Sequence, residues 1–183
     1  MQIKLVLSAQ DNAASIWPAI NLSSQINRCC LPCVCSYITH LDFGRDGQRT
    51  CLQTNSGDYE LLFSNAETGA QITSATAVRD CEWETWTCTL GWPVQGIWPK
   101  GADGTDVNAV DASADRRLLA TADDKASAVK IFRYPCVNAH AEAVPAGGHS
   151  SHVTNIRWNR NASKLISTGR RDGCIMQWTV TNS

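Results

Sequence analysis

Residues Gly148 to Trp178 read GHSSHVTNIRWNRNASKLISTGRRDGCIMQW. Val153 to Trp158 reads as a half-buried strand, with Val153, Ile156 and Trp158 as its apolar members. The polar run Asn159 to Ser163 makes a turn, Leu165 to Thr168 a second strand, and Arg170-Arg171-Asp172-Gly173 a tight turn. Gly and Asp suit that turn because one tolerates unusual backbone angles and the other hydrogen-bonds its own backbone. Ile175 to Trp178 is the third strand, closed by an aromatic residue.

The same frame recurs upstream. An offset of 25 residues separates Val153 from Trp178, Val107 from Phe132, and Ile38 from Phe63. Near the N-terminus Asp11 stands six residues before Trp17, as Asp172 stands six before Trp178, and Leu5-Val6-Leu7 supplies a preceding strand. That remnant lacks its first strand, so the reading expects the chain to begin inside a repeat. No segment sustains a helical period, and the chain is predicted all-β.

Gly148-His149, a strand, a turn Asp and a closing Trp resemble a WD40 repeat, ending here in Trp178-Thr179. Three loops resemble the echinoderm microtubule-associated protein-like family more specifically: Asn55 to Glu60, Gly101 to Asp106 and Gly147 to Asn155. So does the Trp-rich run Glu82 to Pro99, EWETWTCTLGWPVQGIWP. The likeness covers nearly the whole chain, is weakest over residues 18–34, and corresponds to the C-terminal part of that family's second propeller. It implies four-stranded blades of roughly 40–45 residues. The expected fold is an all-β partial WD40 β-propeller of about three and a half blades with open edges. Its segments are the tail of a truncated repeat (1–17), a Cys-rich segment between blades (18–37), a repeat (38–72), a Trp-rich insert (73–106) and two further repeats (107–144 and 145–183).

Family resemblance also implies a function: association with microtubules or soluble tubulin, in the cytoplasm and on the cytoskeleton, including spindle or cilium. The alternative is a general WD40 scaffold for protein complexes with no tubulin contact. Other propeller blades, or another copy, are expected to complete the ring. No reaction is expected, and no cofactor.

Composition limits the other classes. Sixteen Lys and Arg against seventeen Asp and Glu leave a formal charge of −1, which argues against a polybasic nucleic-acid or membrane-surface protein. A hydrophobic share of 43% with 18% charged residues argues against global disorder. No apolar run approaches the roughly 20 residues of a membrane-spanning helix. Nine cysteines cannot all pair within one chain, and without a secretion signal they read as free thiols in a reducing compartment.

Four site questions follow. His149, Thr168 and Asp172 have the residue types of a hydrolase triad, but they match the WD40 positions that build a buried hydrogen-bond chain with Trp178, and this structural tetrad is the expectation. Cys29, Cys30, Cys33 and Cys35 include a zinc-like two-residue spacing. Four ligands within seven residues strain a tetrahedron, so no metal site is assigned and a loop between blades is expected. In the insert, Trp86, Cys88 and Leu90 alternate with threonines, which suggests an extra strand pair; the tryptophans are read mainly as packing, with an exposed contact surface as the rival. Finally, Arg157, Arg160, Lys164, Arg170 and Arg171 face a single acid, Asp172, from residue 151 onward. These five are the candidate contacts for acidic tubulin.

Overall fold

The computed structural model describes the backbone of residues 4–8, 14–18 and 29–30, and residues 36–98, 100–103, 106–124 and 128–181 with their side chains. The strands are β1 (Lys4–Ser8), β2 (Ala14–Pro18), β3 (Cys29–Cys30), β4 (Ile38–Asp46), β5 (Arg49–Ser56), β6 (Leu61–Asn65), β7 (Gln71–Ile72) and β8 (Glu82–Trp83). They continue as β9 (Val107–Ala112), β10 (Leu118–Asp123), β11 (Ala128–Arg133), β12 (Val144–Gly147), β13 (Val153–Trp158), β14 (Lys164–Gly169) and β15 (Ile175–Thr179). Two 3₁₀ turns, Ala75–Val78 and Trp92–Ile97, are the only helical segments among the described residues.

Among the described residues these strands form four antiparallel sheets, with strand orders β1-β2-β3, β7-β6-β5-β4-β8, β12-β11-β10-β9 and β13-β14-β15. Each is a meander of consecutive strands, the form of a propeller blade, except that β8 returns to pair with the other edge of β4. The chain divides into two compact units, Met1–Glu84 and Thr85–Ser183.

In the first unit β4 and β5 are joined by a two-residue turn whose Gly47, at φ 60°, takes the left-handed position. Arg49 closes this hairpin onto the Asp46 carboxylate. Alternation along β5 sends Leu52 to a cluster with Ile38 and Ala66, and Cys51 to a second cluster with Val78 and Cys81 on the other face. Phe63 joins the second cluster, its ring 6.0 Å from that of Trp83. The register therefore sets Ser64, not Phe63, opposite Leu52, where the third repeat has Trp178 opposite Leu165. A Cβ at Gly44 would lie 2.7 Å from the Trp83 ring and 2.6 Å from Cys81 Sγ, so only glycine lets β8 close on β4 there.

In the second unit the repeat is visible in the turns. Arg116 and Ala162, 46 residues apart, are both left-handed, at φ 57° and 54°. Ser113 Oγ accepts the Leu118 N–H at 3.0 Å, and Asn159 Oδ1 accepts the Lys164 N–H at 2.9 Å. Different residues thus build one turn at one position. Between the two sheets of this unit, Ala109, Ala120, Ala122 and Val129 pack against Val153, Ile156 and Leu165, with Trp158 and Trp178 at the margin. Small alanines on one side leave room for two indoles on the other.

Two expectations are corrected here. Residues 85–90 carry no strand: Trp86 is buried, but its indole donates to the Cys88 carbonyl at 3.0 Å, and Trp98 donates to the Thr89 carbonyl at 3.0 Å. Those carbonyls serve nearby indoles, and the chain runs on through Gly91, at φ 125°, into the 3₁₀ turn. Trp92, by contrast, is 65% exposed. The Cys-rich segment is likewise not a plain loop, since Cys29 and Cys30 form β3 against Ile16 and Ser15 of β2. Cys33 and Cys35 lie outside the described residues. The repeat boundary near residue 144 also has structural content: β12 pairs with β11, so its residues complete the preceding sheet.

Candidate functional site: a buried hydrogen-bond chain and a basic sheet

His149 enters from the loop between β12 and β13 and is buried among β14, β15 and their turn. Its Nδ1 lies 2.8 Å from Asp172 Oδ2 and its Nε2 lies 2.8 Å from Ser167 Oγ. The Trp178 indole N–H donates to the same Ser167 oxygen at 2.8 Å. Donor and acceptor balance then assigns the protons: Nδ1–H donates to the carboxylate, Ser167 donates to Nε2, and Ser167 accepts from Trp178. Asp172 also accepts the backbone N–H groups of Ser150 and Cys174, at 3.2 and 3.1 Å. The Cys174 N–H first, and then His149, hold its carboxyl below the ordinary value.

The hydroxyl of the chain is therefore that of Ser167, not Thr168. Successive side chains of a strand point to opposite faces, so neighbouring hydroxyls cannot share one partner. Thr168 Oγ1 instead lies 3.1 Å from Thr154 Oγ1. Two glycines clear the site. A Cβ at Gly148 would come within 3.0 Å of the Trp178 ring, and one at Gly169 within 1.9 Å of Asp172 Oδ1.

Ser167, His149 and Asp172 have the mutual distances of a hydrolase triad, yet a nucleophile must reach its substrate. Ser167 is fully buried and its oxygen is already engaged by both the indole and the imidazole. What the arrangement can do chemically is hold the loop before β13 against β14 and β15 with no polar atom left wanting. The second repeat retains only a part: Thr121 donates to Asp123 at 2.7 Å, and Lys130 takes the other side of that carboxylate. In the first repeat Thr54 is buried, while Asp58 accepts from Ser56 in the turn.

Arg157, Arg160, Lys164, Arg170 and Arg171 are all exposed, and none forms an ion pair among the described residues. They do not form one patch. Arg160 and Lys164 lie at the β13–β14 end of the sheet, and Arg170 and Arg171 at the β14–β15 end beside His149. Six residues of strand separate those ends by about 17–20 Å. Arg157 is paired with Ile166 across β13 and β14, and its guanidinium donates to the Ile156 carbonyl at 2.8 Å and to the Val110 carbonyl of β9 at 3.4 Å. Among the described residues no helix is long and apolar enough to cross a membrane.

A family model described as the echinoderm microtubule-associated protein second β-propeller matches residues 2–180. Echinoderm microtubule-associated protein-like 2 of Rattus norvegicus is 52% identical over 145 residues, covering 79% of this chain and 22% of that protein. The 77 kDa echinoderm microtubule-associated protein of Lytechinus variegatus is 51% identical over 145 residues, covering 79% and 21% respectively. The chain thus spans about a fifth of the length of the curated relatives it matches. Among solved structures, a chain of the mitotic checkpoint complex superposes with a TM-score of 0.51 at 16% identity, covering 98% of this chain and 46% of that one. At that identity the likeness speaks for the fold alone, a partial β-propeller.

Proposed function

Because the chain belongs to the echinoderm microtubule-associated protein family, as part of its second β-propeller, we propose that it is a non-catalytic interaction module that binds microtubules or tubulin. The observation that carries this reading is the 52% and 51% identity to relatives that are themselves named microtubule-associated. The basic β13–β15 sheet supports it, since five exposed cations without acidic partners favour an acidic surface. Their split between two ends makes the contact two-ended: Arg170 and Arg171 at one, Arg160 and Lys164 at the other, with Arg157 between. Cytoplasmic placement on the microtubule cytoskeleton follows from the same reading.

Co-pelleting of the chain with polymerised tubulin tests it. Pelleting should exceed that of an unrelated protein of equal charge and fall as salt is raised. Reversing Arg170 and Arg171, or Arg160 and Lys164, should weaken it. Pelleting no greater than the control would favour the general scaffold instead.

A further inference from the structure

One turn of the basic sheet carries a hydroxyl that its fold does not require. Residues 159–163 join β13 to β14, so the turn is internal to its sheet. Asn159 closes it: its N–H donates to the Lys164 carbonyl at 2.9 Å, and its Oδ1 accepts the Lys164 N–H at 2.9 Å. Ser163 is exposed. Its hydroxyl donates to Asn161 Oδ1 at 2.7 Å and accepts from Asn159 Nδ2 at 3.2 Å, both within the turn. In the sister turn 46 residues earlier, Ser113 closes the turn from the position of Asn159, and Arg117 stands where Ser163 stands. A turn of this form therefore closes with no hydroxyl at that place.

Sequence and backbone both single out Ser163. Across the 183 residues it is the one serine or threonine with an arginine three positions before it, Arg160. Ser167 has Lys164 at that spacing, but it is buried, and His149 and Trp178 already engage its oxygen. Between Arg160 and Ser163, Ala162 is left-handed at φ 54°, a conformation unfavourable for a residue with a Cβ. That strain at the tip lowers the cost of drawing residues 160–163 into the extended form that an enzyme cleft reads side chain by side chain.

We propose that Ser163 is a phosphorylation site for a serine kinase that reads Arg160 through an acidic subsite. The Ser163 oxygen attacks the γ-phosphorus of ATP, the bond to the bridging oxygen of the leaving ADP breaks, and the hydroxyl proton passes to the kinase's base. The new phosphate carries roughly −1.5 to −2 charge at pH 7, in the same turn as Arg160 and beside Lys164 in the chain. It offsets both cations at that end of the sheet and leaves Arg170 and Arg171 unaltered at the other. Resting on the tubulin reading above, the modification turns a two-ended contact into a one-ended one and weakens it.

Mapping the phosphate tests the site without tubulin. The folded 183-residue chain is incubated with Mg-ATP and a calmodulin-dependent serine kinase, chosen as a probe selective for arginine at this spacing, and its peptides are weighed. Ser163 should carry the first phosphate. Arg160→Ala should slow its incorporation about tenfold, and Arg133→Ala should not. Both arginines are exposed, and an unchanged urea midpoint reports that each variant is folded. Phosphate that appears first elsewhere, or at Ser163 equally fast without Arg160, overturns the proposal. Co-pelleting then reads the consequence: the phosphorylated chain should pellet less with polymerised tubulin, and the gap should close as salt is raised. Equal pelleting of the two forms at low salt overturns the regulatory role. An unmodified chain that does not pellet contradicts the tubulin reading instead, while the phosphate map still decides Ser163.

Discussion

The backbone N–H of Trp158 in β13 donates to the Asp111 carboxylate in β9 at 2.7 Å, and the Trp158 indole N–H donates to the Asp111 carbonyl at 2.9 Å. One residue of the four-stranded sheet thus receives two donors from one residue of the next. The apolar contact of Ala109, Ala120 and Ala122 with Ile156 and Leu165 supplies the area, and this pair sets the register between the sheets. Asp111→Ala removes the acceptor of a partly buried N–H and should destabilise the protein by about 1–3 kcal/mol. Asp111→Asn keeps an oxygen in place and should recover much of that loss. Urea unfolding followed by tryptophan fluorescence measures both.

Ser167 and Thr168 give a sharper contrast, because they are adjacent hydroxyl residues with different fates. Ser167→Ala leaves His149 Nε2 and the Trp178 indole without their shared partner, and should cost about 1–3 kcal/mol. His149→Ala should cost a similar amount by stranding Ser167 and Asp172. Thr168→Ala loses only a hydroxyl contact with Thr154 and should change stability by about 0.5 kcal/mol or less. Equal losses at 167 and 168 would contradict the hydrogen-bond chain described above.

This pair also marks the limit of what was legible in the sequence. The 25-residue frame could be read because it depends on apolar periodicity and turn residues, which survive even where Ser113 is exchanged for Asn159. Choosing Ser167 over Thr168 depends on a one-residue register, and a slip of one residue reverses every side chain. The same limit hid the place of Phe63, which faces Trp83 rather than the position of Trp178. In the insert, alternation from Trp86 to Leu90 imitates a strand, while the indoles of Trp86 and Trp98 direct their N–H groups to nearby carbonyls. Side-chain competition for backbone carbonyls has no periodic signature. Nor could a linear sequence reveal that Arg160 and Lys164 lie at one end of the sheet and Arg170 and Arg171 at the other.

Asp172 makes the loop before β13 sensitive to acid. Its folded carboxyl is held below the ordinary value of 3.8, first by the Cys174 N–H and then by His149. A lowered folded value means that the unfolded chain binds this proton more readily. The contribution to stability is therefore complete above about pH 4–5 and is lost as pH falls through the folded value. Asp172→Asn should flatten the pH dependence of the urea midpoint below about pH 4 and lower stability at neutral pH. An unaltered acid limb in this variant would remove Asp172 from the account.

The thiols sort by environment. Cys51 and Cys88 are fully buried, Cys81 and Cys136 nearly so, and Cys174 is exposed beside the Asp172 turn. Burial, with Cys51 adjacent, pushes the Cys81 thiol up to about 12, and burial alone raises Cys136. Since the thiolate is the reactive form, neither reacts appreciably at neutral pH while the protein is folded. Iodoacetamide applied to the native chain should modify Cys174 well before Cys51, Cys81, Cys88 or Cys136, and denaturant should abolish the difference; peptide mass mapping reads the order. Gly44→Ala adds a second arm to the experiment. The new methyl group would stand 2.6 Å from Cys81 Sγ and 2.7 Å from the Trp83 ring, so β8 must shift away from β4. Cys81 should then label faster with Cys136 unaffected, because the displaced contact lies within the first unit alone.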